Sequence, residues 1–254
     1  MKFIVAPAKK MNVADDVFAW KDLPRFVSRA EELMHAIREL SYDEAQKLWK
    51  TSDALTSLNY DRFRTMDVRG KACALSPAVF SYEGIQYQHL APCVMEESQL
   101  AYVQEHLRIL SGFYGILRPF DGVVPYRLEM QAKLSVGDSS DVYGFWGDEL
   151  ARALAEETDS LVNLASVEYA KAVLPYAGSL GVKAVTCLFG RVREDGSLLQ
   201  RATAAKAARG SMVRWCAENE IATLGDLRAF DVAGYRYRPD LSDENTFIFE
   251  ESRR

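Results

Sequence analysis

Apolar residues along this chain follow two rhythms, short unbroken runs and helically spaced faces. Phe3 to Ala6 is an unbroken run stopped by Pro7, the pattern of a short buried strand, and Lys9 and Lys10 follow in the loop at its end. Pro24 to Leu40 places Phe26, Val27, Ala30, Leu33, Met34, Ile37 and Leu40 at helical spacing. Ser41 with Glu44 then makes a capping-box pattern that opens a second helix through Leu48. Ser76-Pro77 carries the cap-then-proline signature of a helix start, and Glu96 to Leu110 and Val142 to Glu157 read as longer helices. Leu161 to Leu164 reads as a strand, with Ser166 as the N-cap of the helix after it. Val182 to Phe189 and Ser197 to Arg201 predict strands joined through Glu194-Asp195-Gly196, and Ala202 to Asn219 predicts a helix. Tyr235 to Arg238 and Thr246 to Glu250 predict two closing strands around a polar turn. No repeat, low-complexity tract or linker interrupts this order. The sum predicts an α+β protein, a single domain over residues 1–254 with a mixed sheet surrounded by many helices.

Composition narrows the classes. A chain of 254 residues with 48% apolar content is ordinary for one large core. No apolar run approaches the roughly 20 residues of a membrane-spanning helix, and the first run is too brief for a signal peptide, so a cytoplasmic protein without a membrane partner is expected. The four cysteines are irregularly spaced without a CxxC pair, and the three histidines form no HExxH or comparable cluster. We therefore expect reduced, structural cysteines, no metal centre and no cofactor. A net charge of −5 argues against indiscriminate coating of nucleic acid. A local basic groove stays open, because Arg201, Lys206, Arg209 and Arg214 lie in a stretch without an acidic residue.

Four constellations could carry chemistry. Gly112 and Gly115 stand beside Phe113 and Tyr114, between Arg108 and Arg118; glycine lets backbone N–H groups approach a phosphate, although a glycine cap and packed turn has the same pattern. In Pro125 to Met130, an extended backbone would put Arg127 and Glu129 on one side, next to Tyr126, either to orient one another at a site or to cross-link a strand. Asn163, Ser166, Glu168 and Lys171 span a strand end and a helix start, where an anion site is one reading and a Glu168–Lys171 pair the other. Lys206 and Arg209 share a helix face, and Gly210 in mid-helix costs about 1 kcal/mol relative to alanine. Either another backbone packs against that glycine or a ligand approaches it.

Taken together these segments resemble the YaaA family, bacterial proteins associated with peroxide stress. The likeness runs through Pro7 to Lys9, Arg62-Phe63, His106 to Asp121, Pro125 to Met130, Phe145 to Asp148, Asn163 to Lys171, Lys206 with Arg209 and Gly210, and Phe230 with Gly234-Tyr235. Ala6, Ala207 and Ile85 depart from the family pattern, which has a small polar residue, a lysine and an acidic residue there. The resemblance implies a single-domain α+β fold with a positively charged cleft, a helix-hairpin-helix-like element, DNA binding as the activity, and protection against peroxide through iron homeostasis. It carries Lys9, Arg108, Arg118, Tyr126, Arg127, Glu129, Asn163, Ser166, Glu168, Lys171, Lys206 and Arg209 to the cleft.

Two functional readings follow. In the first the protein binds DNA without catalysis, with Leu110 to Leu117, and hence Gly112 and Gly115, as the candidate hairpin that holds phosphates. In the second it is an enzyme acting on a small anionic ligand, a phosphate or carboxylate. Glu129 or Glu168 would then be the general base, and Lys206 a nucleophile or electrostatic stabiliser. A direct iron site is a third, weaker reading, since no facial-triad pattern is present.

Overall fold

Lys2–Val5, the first apolar run, is an inner strand of a mixed eight-stranded sheet in the computed structural model, which describes residues 1–14 and 18–252. Lys2–Val5 pairs in parallel with Leu107–Ser111 on one side and Ser160–Leu164 on the other. Beyond these, Lys183–Val192 and Thr246–Glu251 extend the parallel region. Antiparallel strands close both edges, Gly115–Leu117 at one and Tyr235–Tyr237 at the other, while Leu198–Leu199 folds back on Lys183–Val192. Inner parallel strands are covered on both faces, so their sequences are apolar without alternation, as Phe3-Ile4-Val5 and Leu161-Val162 are.

The helical expectations hold at Val27–Arg38, Tyr42–Trp49 and Ala202–Glu218. The capping box forms: Ser41 N–H donates to Glu44 Oε2 at 2.8 Å and Glu44 N–H to Ser41 Oγ at 3.4 Å. Helices Ile85–Leu90, Glu97–His106 and Ala202–Glu218 pack together. A Cβ on Gly210 would lie 2.0 Å from the Gln86 carbonyl oxygen, so the mid-helix glycine is there for a backbone, not for a ligand.

Three expectations needed correction. The helix starting near Glu96 ends at His106, and Leu107–Ser111 is a strand instead. Its buried run must extend to pair with Lys2–Val5, and the Arg108 guanidinium caps the helix end by donating to the carbonyls of Gln104, Glu105 and Leu107 at 3.2, 3.1 and 2.7 Å. Val142 to Glu157 divides into Val142–Trp146 and Glu149–Ala155 at Gly147, whose φ of +49° no continuing helix adopts. Ser76–Pro77 pairs as a short strand with Gly122–Val123 before a single helical turn begins at Ala78.

The candidate helix-hairpin-helix is also corrected at its residues. Leu110 to Leu117 is a buried β-hairpin with Leu110 opposite Ile116 and Ser111 opposite Gly115. Phe113 and Tyr114 are fully buried. Their amides donate to Ser111 Oγ at 3.1 and 2.8 Å, so the turn spends its N–H groups internally.

Candidate functional site

Gly112 sets the position of the segment that matters most. A Cβ there would stand 2.5 Å from the Leu128 carbonyl oxygen and 3.0 Å from Met130 N, so only glycine lets the hairpin lie against residues 128–130. Trp146 Nε1 donates to the Gly112 carbonyl at 3.0 Å and fixes the hairpin from behind. Against this support Tyr126, Leu128 and Met130 are buried, and Arg127 and Glu129 alternate with them. Arg127 Nη2 donates to Glu129 Oε1 at 2.8 Å, and Lys9 Nζ, from the loop after the first strand, lies 3.4 Å from the same oxygen. Arg127 and Glu129 are largely buried, while Lys9 is exposed.

Glu168 joins from the short helix Val167–Ala170 that follows Ser160–Leu164. Its Oε1 accepts a hydrogen bond from Gln131 N–H at 3.4 Å. Desolvation, helped by the neighbouring Glu129 carboxylate, raises the Glu168 pKa above the usual carboxylate value, and the backbone amides with Lys9 only partly offset this. Glu168 and Lys171 do not pair. Lys171 Nζ lies over the Tyr143 ring, 4.9 Å from its centroid, and Tyr143 OH donates to the Glu168 carbonyl at 2.7 Å. Ser166 is the N-cap by backbone geometry without a side-chain capping bond.

Behind the carboxylates, the Tyr126 hydroxyl is 2.5 Å from Ser111 Oγ and 2.8 Å from Tyr82 OH. Burial pushes the Tyr126 phenol up to about 12, so it stays neutral at ordinary pH. Tyr126, Arg127, Glu129 and Lys9 line a small cavity with Tyr169. Arg127, Glu129 and Lys9 also line a second hollow of about 150 Å³ whose far wall is Lys47, Trp49, Lys50 and Lys133. That wall was missed from the sequence. Lys47 and Lys50 close a helix, where cations complement the dipole anyway, so their spacing alone carried no sign of a site.

Other candidates stand elsewhere. Arg108 is buried at the opposite, N-terminal end of the parallel strands, where it pairs with Glu157 through Nε at 2.7 Å. Arg118 is exposed and lines the cavity at that same end with Lys2 and Glu105. Gly112 and Gly115 are core residues. The Asn163 side chain is taken up by Thr186 Oγ1 at 3.2 Å and the Ala165 amide at 3.0 Å. Lys206 is exposed and Arg209 half-buried, with its pKa lowered by desolvation beside Cys187. Among the described residues no hydrogen bond or ion pair joins either one to Glu129 or Glu168. Cys73, Cys93, Cys187 and Cys216 are all free thiols.

This arrangement defines an α+β protein with a charged cleft at the carboxyl ends of its parallel strands, the end at which open sheets of this kind place their sites. Residues 1–241 match the family described as peroxide stress protein YaaA. The chain is 45% identical to a UPF0246 protein of Desulfitobacterium hafniense over 98% of this chain and 97% of that protein. It is 47% identical to UPF0246 proteins of Pediococcus pentosaceus and Lacticaseibacillus casei, over 98% of this chain and 97% and 99% of theirs. The chain belongs to the YaaA family of peroxide stress proteins. No helix among the described residues is long and apolar enough to cross a membrane.

Proposed function

We propose that the chain serves the peroxide response by binding a phosphate-bearing anion in the cleft around Lys9, Arg127, Glu129 and Glu168, with Glu168 taking or giving a proton there. The observation that carries this reading is the half-buried Glu168, its pKa raised, set beside the Arg127–Glu129–Lys9 chain at the sheet's carboxyl edge. A carboxyl whose pKa desolvation raises, set next to cations, suits general acid–base work on an anion. Glu129, already shared between two cations, orients Arg127 in this scheme. Lys206 has no part in it. The test is binding and turnover of small phosphate compounds by the wild-type chain and Glu168→Gln. We expect the variant to bind but to lose turnover, and equal turnover by both would overturn the acid–base role.

DNA is the second reading, and the exposed rim favours it: the side chains of Lys9 and Lys133 are 67% and 79% accessible, within reach of a phosphodiester backbone. Binding of this kind would fall linearly in log K with log salt. Titrating duplex and branched DNA across salt concentrations tests it, and affinity insensitive to salt would remove it. Either activity would limit iron-dependent damage indirectly, an effect read in cells as a lower free-iron signal under peroxide.

A further inference from the structure

We infer that the cleft extends onto the end of helix Tyr42–Trp49 and that this extension is a phosphomonoester subsite, built from Lys47, Lys50, Trp49 and the Nε of Arg127. The inference rests on the reading of the cleft as an anion site and names the residues and the charge state that the site selects.

Unpartnered donors are the first ground. Among the described residues few buried side-chain nitrogens lack a hydrogen-bond acceptor, and two of these, Trp49 Nε1 and Arg127 Nε, belong to residues lining the same hollow. Buried donors are almost always satisfied, so two in residues on facing walls of one hollow call for an acceptor that the chain does not supply. Trp49 is only 2% exposed and stacks on Phe63 with ring centroids 5.7 Å apart, so its indole cannot swing out to find one.

Charge is the second. The hollow is lined by Lys9, Lys47, Lys50, Arg127 and Lys133 against a single carboxylate, Glu129, in a chain whose net charge is −5. Lys9 and Arg127 share Glu129, and Lys133 is held by Asp141 at 2.7 Å. Lys47 and Lys50 form no ion pair or hydrogen bond through their ammonium groups among the described residues. Two ammonium groups outside any ion pair, with Lys47 within electrostatic reach of Glu44, and two orphan N–H donors match a dianion, which a phosphomonoester offers and a phosphodiester does not.

Backbone conformation and size make the subsite testable. Lys50 ends its helix with φ +50° and ψ 50°, the left-handed cap that glycine adopts at least cost. Glycine takes this cap at less cost than lysine, so the ammonium can be removed here while the helix end is kept. The hollow, about 150 Å³, accepts a phosphate head group and a short stem but no duplex.

The variant pair Lys47→Gln with Lys50→Gly tests this without endangering the fold, because the glycine suits the cap. Inorganic phosphate and a small phosphomonoester are titrated into the wild-type chain at fixed ionic strength, with chloride as reference, and the melting temperature and calorimetric affinity are read. We expect phosphate-specific binding in the wild type, an affinity at least tenfold lower in the double variant, and a melting temperature without ligand that is unchanged or raised. Phosphate binding that survives the double variant but is lost in Arg127→Gln overturns the extension and leaves the cleft reading standing. No phosphate-specific binding, with duplex DNA still bound, overturns the subsite and leaves the cleft as a DNA surface. Binding of neither overturns both.

Discussion

The two ends of the parallel strands hold arginines in opposite circumstances. At the N-terminal end Arg108 is buried and fully employed: Glu157 pairs with it and three backbone carbonyls accept from its Nη1. At the carboxyl end Arg127 pairs with Glu129 through Nη2, while its buried Nε has no acceptor among the described residues. One arginine closes a helix; the other is left with a donor to give. The family resemblance put both in one set, although the sequence pattern places them in different segments. The sheet separates them because Leu107–Ser111 starts at one end and the segment after the hairpin returns to the other. A charged residue whose donors are all taken up by its own chain is part of the frame, and a charged residue with spare donors in a cavity is part of a site.

The strongest test of the framework end is Asp121, which is 3% exposed beside Asp22 and Arg118. Burial raises its carboxyl from 3.8 to about 7, although the Arg118 amide donates to it at 2.8 Å. Between those values the folded chain holds a proton that the unfolded chain has lost. The stabilisation is therefore fully present below the unfolded pKa and disappears as pH rises through about 7, up to roughly 4 kcal/mol in all. Asp121→Asn should flatten the fall of melting temperature from pH 4 to pH 8 and be the more stable protein at pH 8. Parallel pH curves for the two proteins would contradict the burial argument.

Gly112→Ala joins the two ends in one experiment. Its Cβ would drive into Leu128 and Glu129 backbone, so we expect a loss of about 3 kcal/mol in a denaturant titration together with lost cleft binding. Arg108→Gln should cost a similar ~3 kcal/mol, because it leaves Glu157 unpaired and uncaps a helix. Unlike Gly112→Ala, it should leave phosphate affinity unchanged once folded. A drop in affinity would mean that the two ends are coupled and that the division drawn between them is wrong.

Most of the frame was legible in the sequence, and the cleft was legible in part, for reasons that differ by residue. Phe3-Ile4-Val5, the Ser41/Glu44 box and the Ala202 helix are local signals and came out as read. The strand at Leu107 was hidden because Leu-Arg-Ile-Leu fits a helix face as well as an extended run, and only pairing with a strand a hundred residues away decides between them. Arg127 and Glu129 were paired by pattern, Lys9 joined them through the family resemblance, and the three meet in space. Lys206 and Arg209 were grouped with them through the family resemblance, and the structure leaves Lys206 exposed and sets Arg209 beside Cys187, on the helix that packs against Ile85–Leu90. Lys47, Trp49, Lys50 and Lys133 had no motif to mark them; a hollow is a property of surfaces that meet.

The proton on Glu168 gives a smaller effect at the carboxyl end. With its pKa raised by desolvation, Glu168 is neutral at low pH and becomes a carboxylate as pH rises, placing a second negative charge beside Glu129. Affinity for an anion should fall as that charge appears, by about tenfold for an interaction of ~1.4 kcal/mol. The ligand's own titration contributes too, so the informative quantity is the ratio of wild-type to Glu168→Gln affinity across pH. That ratio should decline as pH rises, and a constant ratio would place Glu168 outside the ligand's reach.

The smallest expected change is the stability of Arg127→Gln. Removing a buried arginine usually costs several kcal/mol, as at Arg108, because a paired charge is left behind. Here Glu129 keeps Lys9 at 3.4 Å, and the substitution also removes the orphaned Nε, whose burial works against folding. These contributions oppose one another, and we expect a net change within about 1 kcal/mol in a denaturant titration. Phosphate affinity, by contrast, should collapse. Similar stability losses for Arg127→Gln and Arg108→Gln would show that Arg127 is as much a part of the frame as Arg108, and the two ends of the sheet would no longer be distinguished by what their arginines leave free.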